Sequence, residues 1–277
     1  MPWNDRTGAF SPFKASFLAA LCLPALWLAW LWLSDGLGPR RLDAAIHVSG
    51  NWAVRVLVLS LLVSPARQLL RQARLMLVRR MVGVAALLYT LLHLLLYVAD
   101  QKFSLGAVFS EIVKRFYLTI GLVALLGLVA LGVTSFDQMI RRMGGPAWRR
   151  LHKATYGIAV LALLHFMLQT KADVTEATLT AGLFLWLMGY RLLSPKGGAP
   201  GRWALLALAP AAGLATAVLE FAWYGLATGI NPWRVAAANL DVAFGLRPSP
   251  WVAVVGLALW LLREALALRR ARWPATA

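Results

Sequence analysis

Residues 116–135 read FYLTIGLVALLGLVALGVTS, a run without one Asp, Glu, Lys, Arg or His. About 20 apolar residues wound as a helix cross the hydrocarbon core of a bilayer. A single segment in lipid satisfies its backbone hydrogen bonds only as a helix. The run therefore reads as a transmembrane helix, and the fold class depends on how many others resemble it. Working outward, comparable runs lie upstream at 13–34, 50–66 and 81–99. Downstream they lie at 153–170, 177–194, 203–226 and 250–268. The run at 50–66 is the weakest, since it contains Arg55. The first reads as an uncleaved anchor, because Ser34-Asp35-Gly36 is a poor cleavage site for a signal peptide. Composition agrees: 60% of residues are hydrophobic and only 14% charged, with a mean hydropathy of +0.68. Soluble domains are nearer half apolar and a quarter charged. The expected fold is an all-α polytopic transmembrane helix bundle.

Net charge is +17. The basic residues are scattered between the spans rather than gathered on one face, which argues against nucleic acid and for positively charged cytoplasmic loops. With the N-terminus inside, inner segments hold 19 of the 28 Lys and Arg and outer loops hold 8. Both termini are thereby expected in the cytoplasm. The one cysteine, Cys22, excludes an internal disulfide and any cysteine-ligated metal cluster. The loops are too short for a flavin or nucleotide domain and carry no phosphate-binding motif. A soluble redox partner would have to be a separate protein. Pro, Gly and Ser concentrate at 194–201. This predicts a six-span domain at 10–195, a linker at 196–202 and a two-span extension at 203–277.

Four histidines occur: His47, His93, His152 and His165. Ionisable residues inside membrane helices are rare and mark function by default, although a lone histidine also serves as a bond between helices. His93 and His165 each lie 12 residues into spans that run in the same direction. They should reach the same depth on the outer half. Two imidazoles at one level can ligate a haem iron from opposite faces. His152 precedes His165 by 13 residues, about 20 Å along a helix, which places it near the cytoplasmic face as a candidate second ligand. On an ideal helix the two would point about 140° apart. The residue 14 before His93 is Arg79 rather than histidine. Arg79 and Arg80 suit haem propionates as guanidinium forks, or are plain positive-inside charge. Gly83, Gly121, Gly127, Gly132 and Gly157 suit close approach of helices or of a flat ring. Tyr89, Tyr97, Trp148, Tyr156 and Phe166 suit either a pocket wall or the interfacial aromatic belt.

Several ordered motifs carry a resemblance. They are His47-Val-Ser-Gly50, Ser64-Pro-Ala-Arg67, Arg79-Arg-Met-Val-Gly83, His93 and Tyr117-Leu-Thr-Ile-Gly121. Thr134-Ser135, Met139, Arg142, Gly145 and Trp148 follow, then His152-Lys-Ala-Thr-Tyr156, His165-Phe166 and Lys171. Over residues 10–195 the chain resembles the MsrQ (YedZ) family, the haem-binding membrane subunits of a bacterial periplasmic methionine-sulfoxide reductase system. The resemblance implies a six-span ferric-reductase-like core in the inner membrane. It implies haem b on His93 and His165, with His152 as a further haem-binding position. His47 falls in the outer loop between the first two spans, where the family also places a histidine; it contacts a haem or the periplasmic partner, or else caps a helix or sits at the interface. Electrons would come from a cytoplasmic flavin reductase or the quinone pool, with FMN associated. They would pass to a periplasmic molybdopterin subunit that reduces methionine sulfoxide, so no catalytic residue is expected on this chain. Two departures stand out: Phe116 where the family usually has Pro, and one extra residue at Gly144-Gly145. Nothing carries over to the last two spans, including Glu220, Trp223 and Trp260.

Three rival readings remain at this point. One is another haem reductase of the same fold, acting on ferric iron or a different acceptor. The others are a proton-coupled transporter relaying through His93 and His165, and a scaffold with structural histidines. The last two predict a colourless protein, and no repeat of the kind common in transporters is visible.

Overall fold

The computed structural model describes residues 3–4, 7–171, 173–195, 198–241, 243 and 245–272. Part of the expected 196–202 linker, Lys196 and Gly197, lies outside the described residues. The chain is helical: α1 Pro12–Leu33, α2 Arg41–Leu70, α3 Arg79–Asp100, α4 Leu105–Lys114, α5 Phe116–Val133 and α6 Asp137–Met143. Then come α7 Gly145–His152, α8 Ala154–Thr170, α9 Thr175–Leu193, α10 Arg202–Trp223, α11 Pro232–Ala238 and α12 Pro248–Arg272. Among the described residues, seven helical segments are long and apolar enough to cross a membrane. They are α1, α2, α3, α5, α7 with α8, α10 with the π-helical turn after it, and α12. This is a multi-pass membrane protein.

Eight apolar spans were expected, and α9 is the one that differs. It is 19 residues long but less apolar. Thr178 and Thr180 are buried along it, with Ala177, Ala181, Gly182, Phe184, Trp186 and Tyr190. A helix sheathed by protein need not be apolar all round. A second difference concerns α2, which runs 30 residues, about 45 Å, well beyond the hydrocarbon thickness. His47 therefore sits in the first turns of a helix, not in a loop. A third is the interrupted start of the fifth span. Lys153 separates α7 from α8, and Gly144 at φ +77° turns the chain from α6 into α7. The extra Gly144-Gly145 residue is taken up there.

The chain folds as two compact units. The first holds residues up to Ser60 and Met76–Gln169. The second holds Leu61–Leu75 and the chain from Thr170 on. The division thus falls before α9, not at the glycine-rich linker, because α9 packs on α10 and α12.

In the first unit, α5 is apolar on every side, so polarity cannot choose its buried face; fit does. Ile120, Ala124, Leu128 and Leu131 form that face. A Cβ on Gly127 would stand 2.8 Å from Ile158 of α8, and one on Gly132 would strike Leu87 of α3. Small residues allow this approach where lipid offers no hydrophobic drive between helices. On α3 the buried residues Val82, Ala86 and Tyr89 repeat at helical spacing, and His93 continues the same stripe. α1 buries only Leu21, Pro24 and Leu28. Pro24 has no N–H for the carbonyl one turn back. Beside it the Tyr89 hydroxyl donates to Leu21 O at 2.7 Å and accepts from Ala25 N–H at 3.1 Å.

In the second unit, α9, α10 and α12 pack through glycines. A Cβ on Gly256 would meet Ala209 at 2.8 Å and Trp186 Nε1 at 2.9 Å, and one on Gly182 would meet Thr216 and Val252. Glu220 is fully buried at the end of α10. It accepts from Asn239 Nδ2 at 2.7 Å and pairs with Arg247 Nη2. Glu220 had no assignable role in the sequence because its partners lie 19 and 27 residues downstream. Removing one partner of a fully buried ion pair costs about 3–5 kcal/mol; Arg247 is 31% exposed, so its charge is partly hydrated when Glu220 is lost and the cost is smaller. Glu220→Ala should lower the thermal unfolding midpoint of the detergent-purified protein markedly, and Glu220→Gln less so. A midpoint within one degree or so of wild type for Glu220→Ala would show that the pair adds nothing.

Candidate functional site

Two half-sites of the same construction stand in the first unit. His93 of α3 donates Nδ1–H to Ile46 O of α2 at 2.9 Å. A Cβ on Gly50, one turn further along α2, would lie 2.9 Å from His93 Cε1 and 3.0 Å from Nδ1. His165 of α8 donates Nδ1–H to Tyr117 O of α5 at 2.8 Å. A Cβ on Gly121, again one turn on, would lie 2.9 Å from both Cε1 and Nδ1. Each imidazole thus lies flush on a helix backbone that only glycine bares, with one ring nitrogen held by a carbonyl. A carbonyl can only accept, so each neutral ring carries its proton on Nδ1 and keeps the Nε2 lone pair. Histidines that bind metals are commonly oriented in this way.

The two rings are 6.4 Å apart, centroid to centroid, with planes at 76°. Metal–imidazole bonds are about 2.0 Å. A ring nitrogen lies about 1.1 Å from the centroid of a five-membered ring with C–N bonds of about 1.33 Å. Two such ligands on one metal atom would put their centroids about 6.2 Å apart. The observed separation matches. Both histidines are half-buried. Among the described residues no three His, Cys, Asp or Glu gather to hold a metal ion. The pair thus suits a metal whose remaining ligands come from a macrocycle.

A second cluster forms where α5 ends. Arg80 donates to Ser135 O at 3.0 Å and pairs with Asp137 Oδ1 at 2.7 Å. His152 Nε2 lies 3.4 Å from Ser135 Oγ, and its Nδ1 meets Trp148 O at 3.1 Å. The Trp148 ring stacks on His152 at 3.9 Å and donates to Thr134 O at 2.9 Å. Arg79 is exposed. His47 is 46% exposed and its Nδ1 turns to Asp43 O of its own helix at 2.7 Å. The structure therefore joins His93 with His165, and joins Arg80 with His152 separately.

Sequence reading missed the two cradles. Gly50 and Gly121 carry no chemistry of their own. Their signal is a glycine four residues after the residue that lends its carbonyl, in Ile46-His-Val-Ser-Gly50 and Tyr117-Leu-Thr-Ile-Gly121.

A helix bundle with paired histidines on facing helices is the pattern of a membrane redox core. A family described as ferric reductase like transmembrane component matches residues 49–163, which include both histidine-bearing helices up to Leu163. Three relatives carry the name protein-methionine-sulfoxide reductase heme-binding subunit MsrQ. That of Rhodospirillum rubrum is 41% identical over 191 residues, 69% of this chain and 89% of the relative. That of Caulobacter vibrioides is 37% identical, covering 61% of this chain and 81% of its own. That of Xanthomonas campestris pv. campestris is 40% identical, covering 65% and 85%. No solved structure matches the chain. The chain belongs to the MsrQ family of methionine-sulfoxide reductase subunits.

Proposed function

We propose that this chain is the haem b electron-transfer subunit of a bacterial inner-membrane system. It would carry electrons from a cytoplasmic flavin reductase or quinol to a periplasmic molybdopterin subunit that reduces protein methionine sulfoxide. The observation that carries the reading is the 6.4 Å spacing of His93 and His165, each with Nδ1 committed to a backbone carbonyl. The relatives' name, which describes a heme-binding subunit, supports it.

Bound haem supplies a one-electron iron centre; the chain's own residues do the rest. His93 and His165 would hold its iron. Held by two histidines, the group would serve electron transfer rather than oxygen chemistry. The Ile46 and Tyr117 carbonyls fix both tautomers and ring directions. Apolar helix walls keep the site dry. Arg79 and Arg80 are proposed to meet the propionates, with Arg80 held by Asp137, and His152 marks a further haem-binding position beside them. Substrate chemistry is assigned to the partner, so no catalytic residue is placed here. FMN, and cytoplasmic placement of both termini, belong to the same proposal.

The test is reoxidation. Inner membranes containing the chain are reduced with limiting dithionite, and the visible spectrum is followed. Adding the periplasmic reductase together with methionine sulfoxide should return the b-type bands to the oxidised form, and neither alone should. A colourless protein from haem-replete cells ends the haem reading. Bands that stay reduced with both additions leave the haem but remove the proposed acceptor.

A further inference from the structure

We propose that the groove between α1 and α3 holds one anionic phospholipid, its acyl chain between the helices and its phosphodiester at Lys14. The groove is a cavity of about 630 Å³ within the first unit. Its length is apolar, walled by Leu18, Leu21, Met81, Ala85, Leu88 and Leu92. Among the described residues that line it, only Lys14 and Arg80 are charged, in the first turns of their helices. The charge therefore sits at one mouth.

Lengths fix the class of guest. From Lys14 to Ala25 the wall runs about 16 Å, and from Arg80 to Leu92 about 18 Å. Half of a hydrocarbon core is about 15 Å, so the groove is one leaflet deep with its charges at headgroup level. The groove stays open because α1 meets α3 at few points, above all at the Tyr89 hydroxyl beside Pro24. Charge fixes the headgroup. The charge of Arg80 is balanced by Asp137. The Lys14 ammonium meets, among the described residues, only the neutral Asn4 carbonyl oxygen at 2.6 Å. Among the described residues the mouth thus carries one net positive charge, which matches one phosphodiester. Basic pockets between helices at the leaflet surface take anionic lipids by this chemistry.

The full chain is purified in mild detergent from membranes containing both phosphatidylglycerol and phosphatidylethanolamine. Retained lipid is then extracted and quantified by mass spectrometry. About one phosphatidylglycerol per chain is expected, in preference to phosphatidylethanolamine. Lys14→Gln should lower its retention about fivefold, the effect of one basic residue at the surface. Ala85→Trp should fill the groove and displace the lipid, with the thermal unfolding midpoint unchanged. Equal retention of the neutral lipid would overturn the proposal. So would a quinone in the lipid's place, or unaltered retention in Lys14→Gln. Lys14 lies at the helix entrance and outside the packed core, so its substitution reads the charge without unfolding the bundle.

Discussion

His93→Ala and His165→Ala should each abolish the reduced-minus-oxidised b-type spectrum of the purified protein. The proposed site has two protein ligands and, among the described residues, no third His, Cys, Asp or Glu grouped with them to hold a metal ion. Loss of either leaves one imidazole to hold the macrocycle against exchange into detergent and lipid. Altering a group that merely orients a metal ligand lowers affinity about 10–100-fold, so deleting a ligand should exceed that range. His47→Ala should leave the bands in place. Its ring is half exposed and bonded to its own helix. His152→Ala separates two forms of the proposal. If the His152 cluster carries a second haem, part of the absorbance disappears; if there is one haem, the spectrum stays whole. Full haem content in both His93→Ala and His165→Ala would remove the ligand assignment.

Gly121→Val should lose most of its haem although no ligand has changed, and Gly50→Val should do the same at the other half-site. A Cβ at either position comes within 2.9 Å of an imidazole atom, closer than carbon atoms approach at rest. The ring is fixed at that point by its Nδ1 bond to a carbonyl one turn away. It would have to swing off the carbonyl and out of line with its opposite number. Branched Val adds bulk that no rotamer carries away from the helix surface. The expected loss of haem affinity is about 10–100-fold, the range seen when the orientation of a ligand is disturbed. Gly83→Ala and Gly157→Ala are the internal controls. Both glycines lie in the histidine-bearing spans, and a Cβ there meets nothing within 4 Å. Measuring haem per protein by absorbance across the four variants would settle the matter. Equal occupancy in all of them would mean that the cradles have no hold on the rings.

Membrane character and helical class were legible in the sequence, and so were His93 and His165 as the proposed ligand pair. These follow from quantities local to the chain: the length of the uncharged run at 116–135, the number of runs like it, and the rarity of histidine inside a span. Equal depth of His93 and His165 is also arithmetic along the chain. Such arithmetic stops at contacts between helices. In a helix that is apolar all round, as α5 is, no periodicity shows which face is inward. The roles of Gly50, Gly121, Ile46 O and Tyr117 O therefore appear only once the helices are set side by side. Glu220 looked orphaned until α11 and the loop beyond it brought Asn239 and Arg247 to it. α9 read only as one more apolar span, and its threonines and glycines gave no sign that they line a protein seam. Hydropathy reports the partition of a segment between water and oil. It does not report contact between one helix and another, which depends on shape, and shape is where this site was made.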